Sequence, residues 1–202
     1  MTDLHTPLTL HPDAQAQLFT HAHTANTFTD QPVTDDQLHA IYDLAKFPPT
    51  AMNVQPLRIL YTRPGTTRDR LLTHLAEGNR AKTATAPVTA VLAADTDFHH
   101  HLPTTFPVLP GLQERFAADD TTRENTARFN ATIQIGYYLL GIRAAGLAAG
   151  PMGGFDPPGI DTEFFTDNGW KSLLVVNIGH PGPDAYRPRL PRLTHTDATH
   201  TP

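Results

Sequence analysis

Apolar positions recur along the chain with two spacings, and each spacing predicts an element. Ala14, Leu18 and Ala22 share one face at helical spacing, which predicts a first helix over 13–23. Thr34-Asp35-Asp36-Gln37 has the form of a capping box, with Thr34 as N-cap and Gln37 reaching back to it. Leu38, Ile41, Tyr42 and Ala45 continue that helix, and Phe47-Pro48-Pro49 stops it, because proline disfavours helical geometry in the residue before it. LRILYT at 57–62 suits a strand, Arg68 to Leu75 a short helix, and PVTAVLAA at 87–94 a buried strand. The longest helical pattern runs over 122–148. Its apolar residues, among them Phe129, Ile133, Tyr137, Tyr138 and Ile142, spread around the axis, so burial nearly all round is expected. Residues 96–120 read as loop, and LLVVNI at 173–178 predicts a last buried strand. Helices and strands mix without a strict βαβ rhythm, which indicates an α+β fold.

Length changes this picture little. A chain of 202 residues with 39% hydrophobic and 17% charged residues can bury a core. There is no repeat at solenoid spacing and no long internal linker, so a single domain over 12–193 is expected. The segments 1–11 and 194–202 are rich in Thr, His, Asp and Pro and are expected to be loose tails. The first residues lack a basic start and an apolar run, so no secretory signal is expected. The stretch 133–155 is mostly apolar, but Arg143 interrupts it and Gly150-Pro151 ends it, which argues against a membrane span.

Charge and composition exclude several chemistries. A net charge of −5 gives no overall basic footprint for nucleic acid. The absence of cysteine removes disulfides, thiolate metal sites and thiol catalysis, and fits a reducing compartment such as the cytoplasm. Twelve histidines are present, but His99-His100-His101 and His21-x-His23 lack the i, i+4 spacing of a zinc helix, so they read as surface histidines and no metal site is predicted. The only serine, Ser172, opens a strand and has no nucleophile-elbow context. Neither a P-loop nor a G-x-G-x-x-G fingerprint occurs.

Four polar or glycine-rich segments remain. They are Pro48-Pro49-Thr50-Ala51-Met52-Asn53-Val54-Gln55-Pro56, Gly78-Asn79-Arg80-Ala81-Lys82, Gly150-Pro151-Met152-Gly153-Gly154-Phe155 and Arg187-Pro188-Arg189-Leu190-Pro191-Arg192. Singly, each reads as a turn, a solvated helix start, a helix stop and a basic tail. Together they offer cations for a phosphate, amides for a polar ring edge and glycines for close backbone approach. A flavin mononucleotide needs such a set, with a donor near N5 and positive charge near N1 and O2.

In this order the four segments resemble the nitroreductase superfamily of FMN enzymes. PPTAMNVQP resembles its Pro-Ser/Thr-x-x-Asn-x-Gln-Pro loop, GNRAK its Asn-x-x-Lys segment, GPMGGF its Pro-x-x-Gly-Phe loop and RPRLP its terminal phosphate clamp. The likeness runs from about residue 13 to 193 and is greatest to the malonic semialdehyde reductase (3-hydroxypropanoate dehydrogenase) branch. It implies an antiparallel or mixed sheet flanked by helices, with the long central helix at a homodimer interface.

The resemblance also implies roles for particular residues. Thr50 and Asn53 would meet the isoalloxazine or ribityl side, and Asn79 and Lys82 the pyrimidine edge, with Lys82 stabilising charge on the reduced ring. Gly153, flanked by Pro151, Met152 and Gly154, would present its N–H to N5, and Arg187 and Arg189 would clamp the phosphate. No side chain is assigned as acid or base. The site would draw on two subunits. The family's basic N-terminal segment is replaced here by Ala22-His23-Thr24-Ala25-Asn26-Thr27-Phe28. In it His23, Thr24 and Asn26 would approach the phosphate.

The implied activity is hydride transfer from NADH or NADPH through flavin N5 to a small carbonyl, quinone or nitro acceptor, with malonic semialdehyde as one candidate. A flavin-dependent oxidase or dehydrogenase, and a non-catalytic binding protein on the same scaffold, remain alternatives. Phe106, Arg115 and Phe116 would lie in a substrate lid at 96–120, or else Arg115 is surface and the phenylalanines are core.

Overall fold

The structure, a computed structural model, describes residues 8–202; residues 1–7 of the expected N-terminal tail lie outside the described residues. The first helix is shorter than its apolar pattern suggests. α1 (Pro12–Gln15) passes into a π turn over Ala16–Thr20 and ends at His21. α2 (Asp35–Ala45) carries the complete capping box: Thr34 Oγ1 accepts from Gln37 N at 3.2 Å, and Gln37 Oε1 accepts from Thr34 N at 3.0 Å. Next come β1 (Leu57–Thr62), α3 (Thr66–Thr73), α4 (Glu77–Ala84) and β2 (Val88–Asp95).

The segment expected as loop after β2 is mostly helical. It contains a 3-10 turn over Phe98–His101, then α5 (Leu102–Thr105) and α6 (Leu112–Ala117). Apolar residues spaced through it find a core: Phe98, Leu102, Leu112 and Phe116 are buried together, and Phe98 meets Phe116 edge to face at 5.0 Å. Phe116 is therefore core and Arg115 exposed, while Phe106 is half-buried against the same cluster.

α7 (Asp120–Ala144) starts at the Asp119 cap, whose side chain accepts from Thr122 N at 2.9 Å. It stops four residues before the predicted end. Gly146 takes φ +75°, its N–H bonds Arg143 O at 3.0 Å, and Leu147 N bonds Ile142 O at 3.1 Å. These paired bonds are a Schellman motif, which only a residue comfortable at positive φ closes cheaply. The chain then forms β3 (Ala148–Met152), a strand the apolar pattern does not announce. α8 (Pro157–Phe164), β4 (Trp170–Gly179) and α9 (His195–Ala198) follow. α9 is a single exposed turn with its own Thr194 cap inside the segment expected to be loose.

The four strands pair in the order β1-β2-β4-β3, all antiparallel. All eight residues of β2 are buried, because helices cover both faces of the sheet. Val88, Ala90 and Leu92 pack with Leu38 and Ile41 of α2 and Ile135, Tyr138 and Ile142 of α7. The alternate residues Val91 and Ala93 pack with Leu71, Leu75 and Ile160 on the other face, as the two-residue period of a strand requires. α2 crosses α7 closely at Gly141, where a Cβ would stand 3.1 Å from Ile41 O.

α7 is not buried all round within the protomer. Its buried residues, including Ala127, Ala131, Gln134, Ile135, Tyr138 and Ile142, form one stripe at three- and four-residue steps. Phe129 and Tyr137 face outward, 67% and 39% exposed.

Candidate active site

The edge of the sheet at β3 builds the main polar cleft. Residues 22–26 run beside β3, held by a parallel bridge between Thr24 and Ala149 and by Ala25 N donating to Ala149 O at 2.9 Å. This approach needs glycine in the strand: a Cβ on Gly150 would lie 2.6 Å from Ala25 O. Asn26 N donates to Ala185 O at 2.9 Å, which ties the same segment to the chain after β4. The extended residues 187–192 then fold back over it. Arg189 donates through Nη2 to Thr20 O at 2.7 Å and to Ala22 O at 2.9 Å.

A cleft of about 590 Å³ results. His23, Thr24, Asn26, Lys82, Arg187 and Arg189 all line it, and so does Arg192. None of its lining residues is acidic. Burial holds Lys82 below the ordinary lysine pKa of 10.5, and the neighbouring charge of Arg187 adds to the effect. Like charges gathered without carboxylates are costly unless an anion joins them. His23 rests against Tyr186, with ring centroids 5.4 Å apart. A smaller cleft of about 270 Å³ shares His23, Thr24 and Arg192 and continues over Pro151 to Gly136, Leu139 and Leu140 of α7. The cationic end thus adjoins a mostly apolar one, with Arg143 also in its lining.

The glycine loop after β3 follows Pro151, which lines the smaller cleft; Gly153, Gly154 and Asn79 line neither cleft within the protomer. Gly154 O accepts from Asn79 Nδ2 at 2.9 Å and from Ala76 N at 3.0 Å. A Cβ on Gly154 would lie 2.8 Å from Asn79 Nδ2, so glycine is what lets α4 hold the loop so closely. Gly153 is exposed, a Cβ there would touch nothing within 4 Å, and its N–H has no hydrogen-bond partner among the described residues. Met152 is turned into the core.

Thr50 and Asn53 do not line this cleft within the protomer. Their loop is pinned to α7 by Ala51 N donating to Asn130 Oδ1 at 2.7 Å. Asn53 donates to Thr105 O at 2.7 Å and accepts from Gln55 Nε2 at 2.9 Å, so both ends of its amide are engaged. Thr50 Oγ1 accepts from Gln55 N at 3.2 Å. Met52, Asn53 and Gln55 all have positive φ, at 49°, 51° and 42°, a costly backbone for non-glycine residues.

Two features escape the sequence patterns. Arg192 belongs to the same basic run as Arg187 and Arg189, but spacing alone does not show that it turns into the cleft. His99 is buried rather than on the surface, 4% exposed, and its Nδ1 has no partner among the described residues. Its ring stacks at 4.1 Å on His100, and Asp97, His99 and His100 bring one ligand atom each within 4.8 Å of one another. None of the three lines the cationic cleft.

A four-stranded antiparallel sheet carrying an acid-free cationic cleft beside a glycine loop is what the family comparison now identifies. The Nitroreductase family profile matches residues 21–180, and the chain belongs to that family. A Streptomyces coelicolor protein provisionally named NADH dehydrogenase/NAD(P)H nitroreductase is 55% identical over 187 residues, 92% of each chain. A protein of the same provisional name from Leptothrix cholodnii is 48% identical over 177 residues, 88% of this chain and 90% of that one.

Solved structures share the fold. A provisionally named nitroreductase from Bacillus subtilis superposes with TM-score 0.81 at 17% identity, covering 95% of this chain and all 100% of that one. Another from Exiguobacterium sibiricum, solved in complex with FMN, gives TM-score 0.77 at 18% identity over 98% of this chain and 100% of its own. Among the described residues no helix is long and apolar enough to cross a membrane.

Proposed function

We propose that this nitroreductase-family chain is an FMN-dependent NAD(P)H oxidoreductase and that the cationic cleft receives the flavin phosphate. The observation that carries this reading is the cluster of Lys82, Arg187, Arg189, Arg192 and His23 around one cleft with no acidic residue in its lining. The donor set fits the cofactor. Cations and the Thr24 hydroxyl suit a phosphate, the apolar lobe over Pro151 suits an aromatic ring, and the open N–H of Gly153 suits a ring nitrogen. FMN, when bound, supplies hydride transfer between the nicotinamide and an acceptor.

The chain's residues do the rest. Arg187, Arg192 and His23 hold the phosphate. Arg189 braces the backbone at Thr20 and Ala22 so that Thr24 and His23 face it. Asn79 fixes the carbonyl of Gly154 and so holds the loop whose Gly153 N–H would meet the ring. Lys82 places a positive charge where the reduced ring becomes anionic, the kind of prearranged electrostatic support that needs no reorganisation during the reaction.

The acceptor in this reading is a small carbonyl, quinone or nitro compound. Malonic semialdehyde is the first to test, on the resemblance of the sequence motifs to the branch that reduces it. A homodimer built on α7 belongs to the same proposal. Phe129 is 67% exposed and Phe47 79% exposed, an apolar cost that a second copy would remove. The dimer would also bring Thr50 and Asn53 of one subunit to the cleft of the other.

The test is the visible spectrum of purified protein with and without added FMN, then with NADPH under anaerobic conditions. Flavin absorption that bleaches on adding NADPH is expected, and reoxidation by the accepted substrate follows. Protein that stays colourless with micromolar FMN would overturn the cofactor assignment. Bound flavin that resists both NADH and NADPH would overturn the reductase direction in favour of an oxidase.

A further inference from the structure

Arg68 sits in the first turn of α3 and is 1% exposed. Its guanidinium makes four hydrogen bonds. Nε donates to Thr62 Oγ1 at 2.9 Å, Nη2 to Thr62 O at 2.6 Å, and Nη1 to Thr83 O at 2.5 Å and Ala86 O at 3.0 Å. All the acceptors are neutral, and Arg68 forms no salt bridge among the described residues. Burial lowers its pKa to about 10, so it stays charged at neutral pH, and Asp69 is the one charged group whose field reaches it.

A buried cation without a counter-ion is expensive, and an apolar side chain could fill the same volume at lower cost. Its location gives a reason for keeping it. Thr83 belongs to the last turn of α4, whose unsatisfied carbonyls carry the negative end of the helix dipole. α4 also carries Asn79 and Lys82, and Thr83 follows Lys82 directly. The network continues behind the glycine loop: Asn177 Nδ2 donates to Thr83 Oγ1 at 3.1 Å, Thr89 Oγ1 donates to Asn177 Oδ1 at 2.7 Å, and Thr83 Oγ1 lies 3.7 Å from Met152 Sδ. Thr62, Thr83, Thr89 and Asn177 are all buried.

We infer that Arg68 is a positioning residue for the flavin site: its fork locks the C-terminal end of α4 so that Asn79 and Lys82 face the cofactor. The inference rests on the assignment of α4 to the flavin. Substitutions grade the lock. A protonated lysine still donates to the carbonyls but loses the planar fork, whereas methionine donates nothing.

The experiment measures FMN affinity and the two-electron midpoint potential of bound flavin, as a function of pH, for the wild type, R68K, R68M and K82A. R68M is expected to bind FMN at least tenfold more weakly. Its preference for reduced over oxidised flavin should also fall about tenfold, a shift of about 30 mV to lower potential. R68K should match the wild type in potential at low pH. As pH rises it should lose that match, because a buried lysine gives up its proton far more readily than arginine. A displaced but purely structural residue would not produce that extra pH step.

Should R68M fail to fold by circular dichroism, the R68K pH profile decides alone. R68K without an additional pH-dependent fall, or folded R68M with wild-type affinity and potential, would overturn the inference. Loss of flavin contact is read separately: if K82A leaves affinity and potential unchanged, the placement of α4 at the flavin is wrong, whatever Arg68 does.

Discussion

Gly150→Ala tests the link between the sheet edge and the cationic cleft. Gly150 lies in β3 with ordinary strand dihedrals, so alanine is allowed there by the backbone. Intrinsically the change should help by about 0.4–1 kcal/mol, because alanine restricts the unfolded chain. The packing argues the other way. The new Cβ would lie 2.6 Å from Ala25 O, which is backbone, with Phe28 Cζ at 3.4 Å and Asn177 Cβ at 3.5 Å on its other sides. The 22–26 segment must therefore move outward.

Overpacking of this kind costs about 1–3 kcal/mol. The outward move also stretches the bond from Ala25 N to Ala149 O, worth about 0.5–1.5 kcal/mol. At the midpoints the balance is a net loss of about 2 kcal/mol. In a chain of this size that lowers Tm by roughly 4–8 °C. His23 and Thr24 move with the segment, so FMN affinity should fall as well. The assay is a thermal melt followed by FMN titration of the folded protein; Gly153→Ala serves as control for the melt alone, since a Cβ there meets no protein atom within 4 Å. A Gly150→Ala protein that melts within 2 °C of wild type and binds FMN normally would refute the reasoning.

Other outcomes follow from single contacts. Lys82→Ala should weaken FMN binding by one to two decades, the worth of a charge-assisted hydrogen bond of about 1.5–3 kcal/mol, with an unchanged circular dichroism spectrum. The Lys82 pKa is held below 10.5, chiefly by burial and then by the charge of Arg187, so its charged form is lost at lower pH than that of a free lysine. Affinity should fall as pH rises through that lowered value, and a titration flat up to pH 10.5 would contradict it. Arg189→Ala should weaken FMN binding more than His23→Ala, since it frees the carbonyls of Thr20 and Ala22 as well as removing a charge; equal losses by fluorescence titration would count against the brace. Thr34→Ala removes the capping box of α2, far from the cleft. It should cost about 1 kcal/mol and lower Tm by roughly 2–4 °C while FMN affinity stays the same.

Local signals determined several elements outright. The Thr34–Gln37 box starts α2 because its hydrogen bonds close within four residues and need no other part of the chain. β1, β2 and β4 are legible because their apolar runs suit a sheet covered on both faces. The four chemical segments were also visible as residue types: Asn79 and Lys82, the glycine pair 153–154, and the arginines from 187 onward.

What local pattern could not decide is where each element stops and which residues meet. AAGLAAGPM has no clear period, so the change from α7 to β3 depends on the positive φ of Gly146 and on pairing with β4. The helices at 98–117 exist because Phe98, Leu102, Leu112 and Phe116 find one another and Ala127 of α7. Arg68 reads as an ordinary surface cation of a short helix. It is buried because the carbonyls of Thr62, Thr83 and Ala86, which lie 6, 15 and 18 residues away outside its own helix, converge on it. The cleft itself is a tertiary product, since Arg189 meets Thr20 across 169 residues. Residue types set which chemistry was possible, and the folding of distant segments onto one sheet edge set where it could occur, because cations gather into one site only when the backbone between them is fixed.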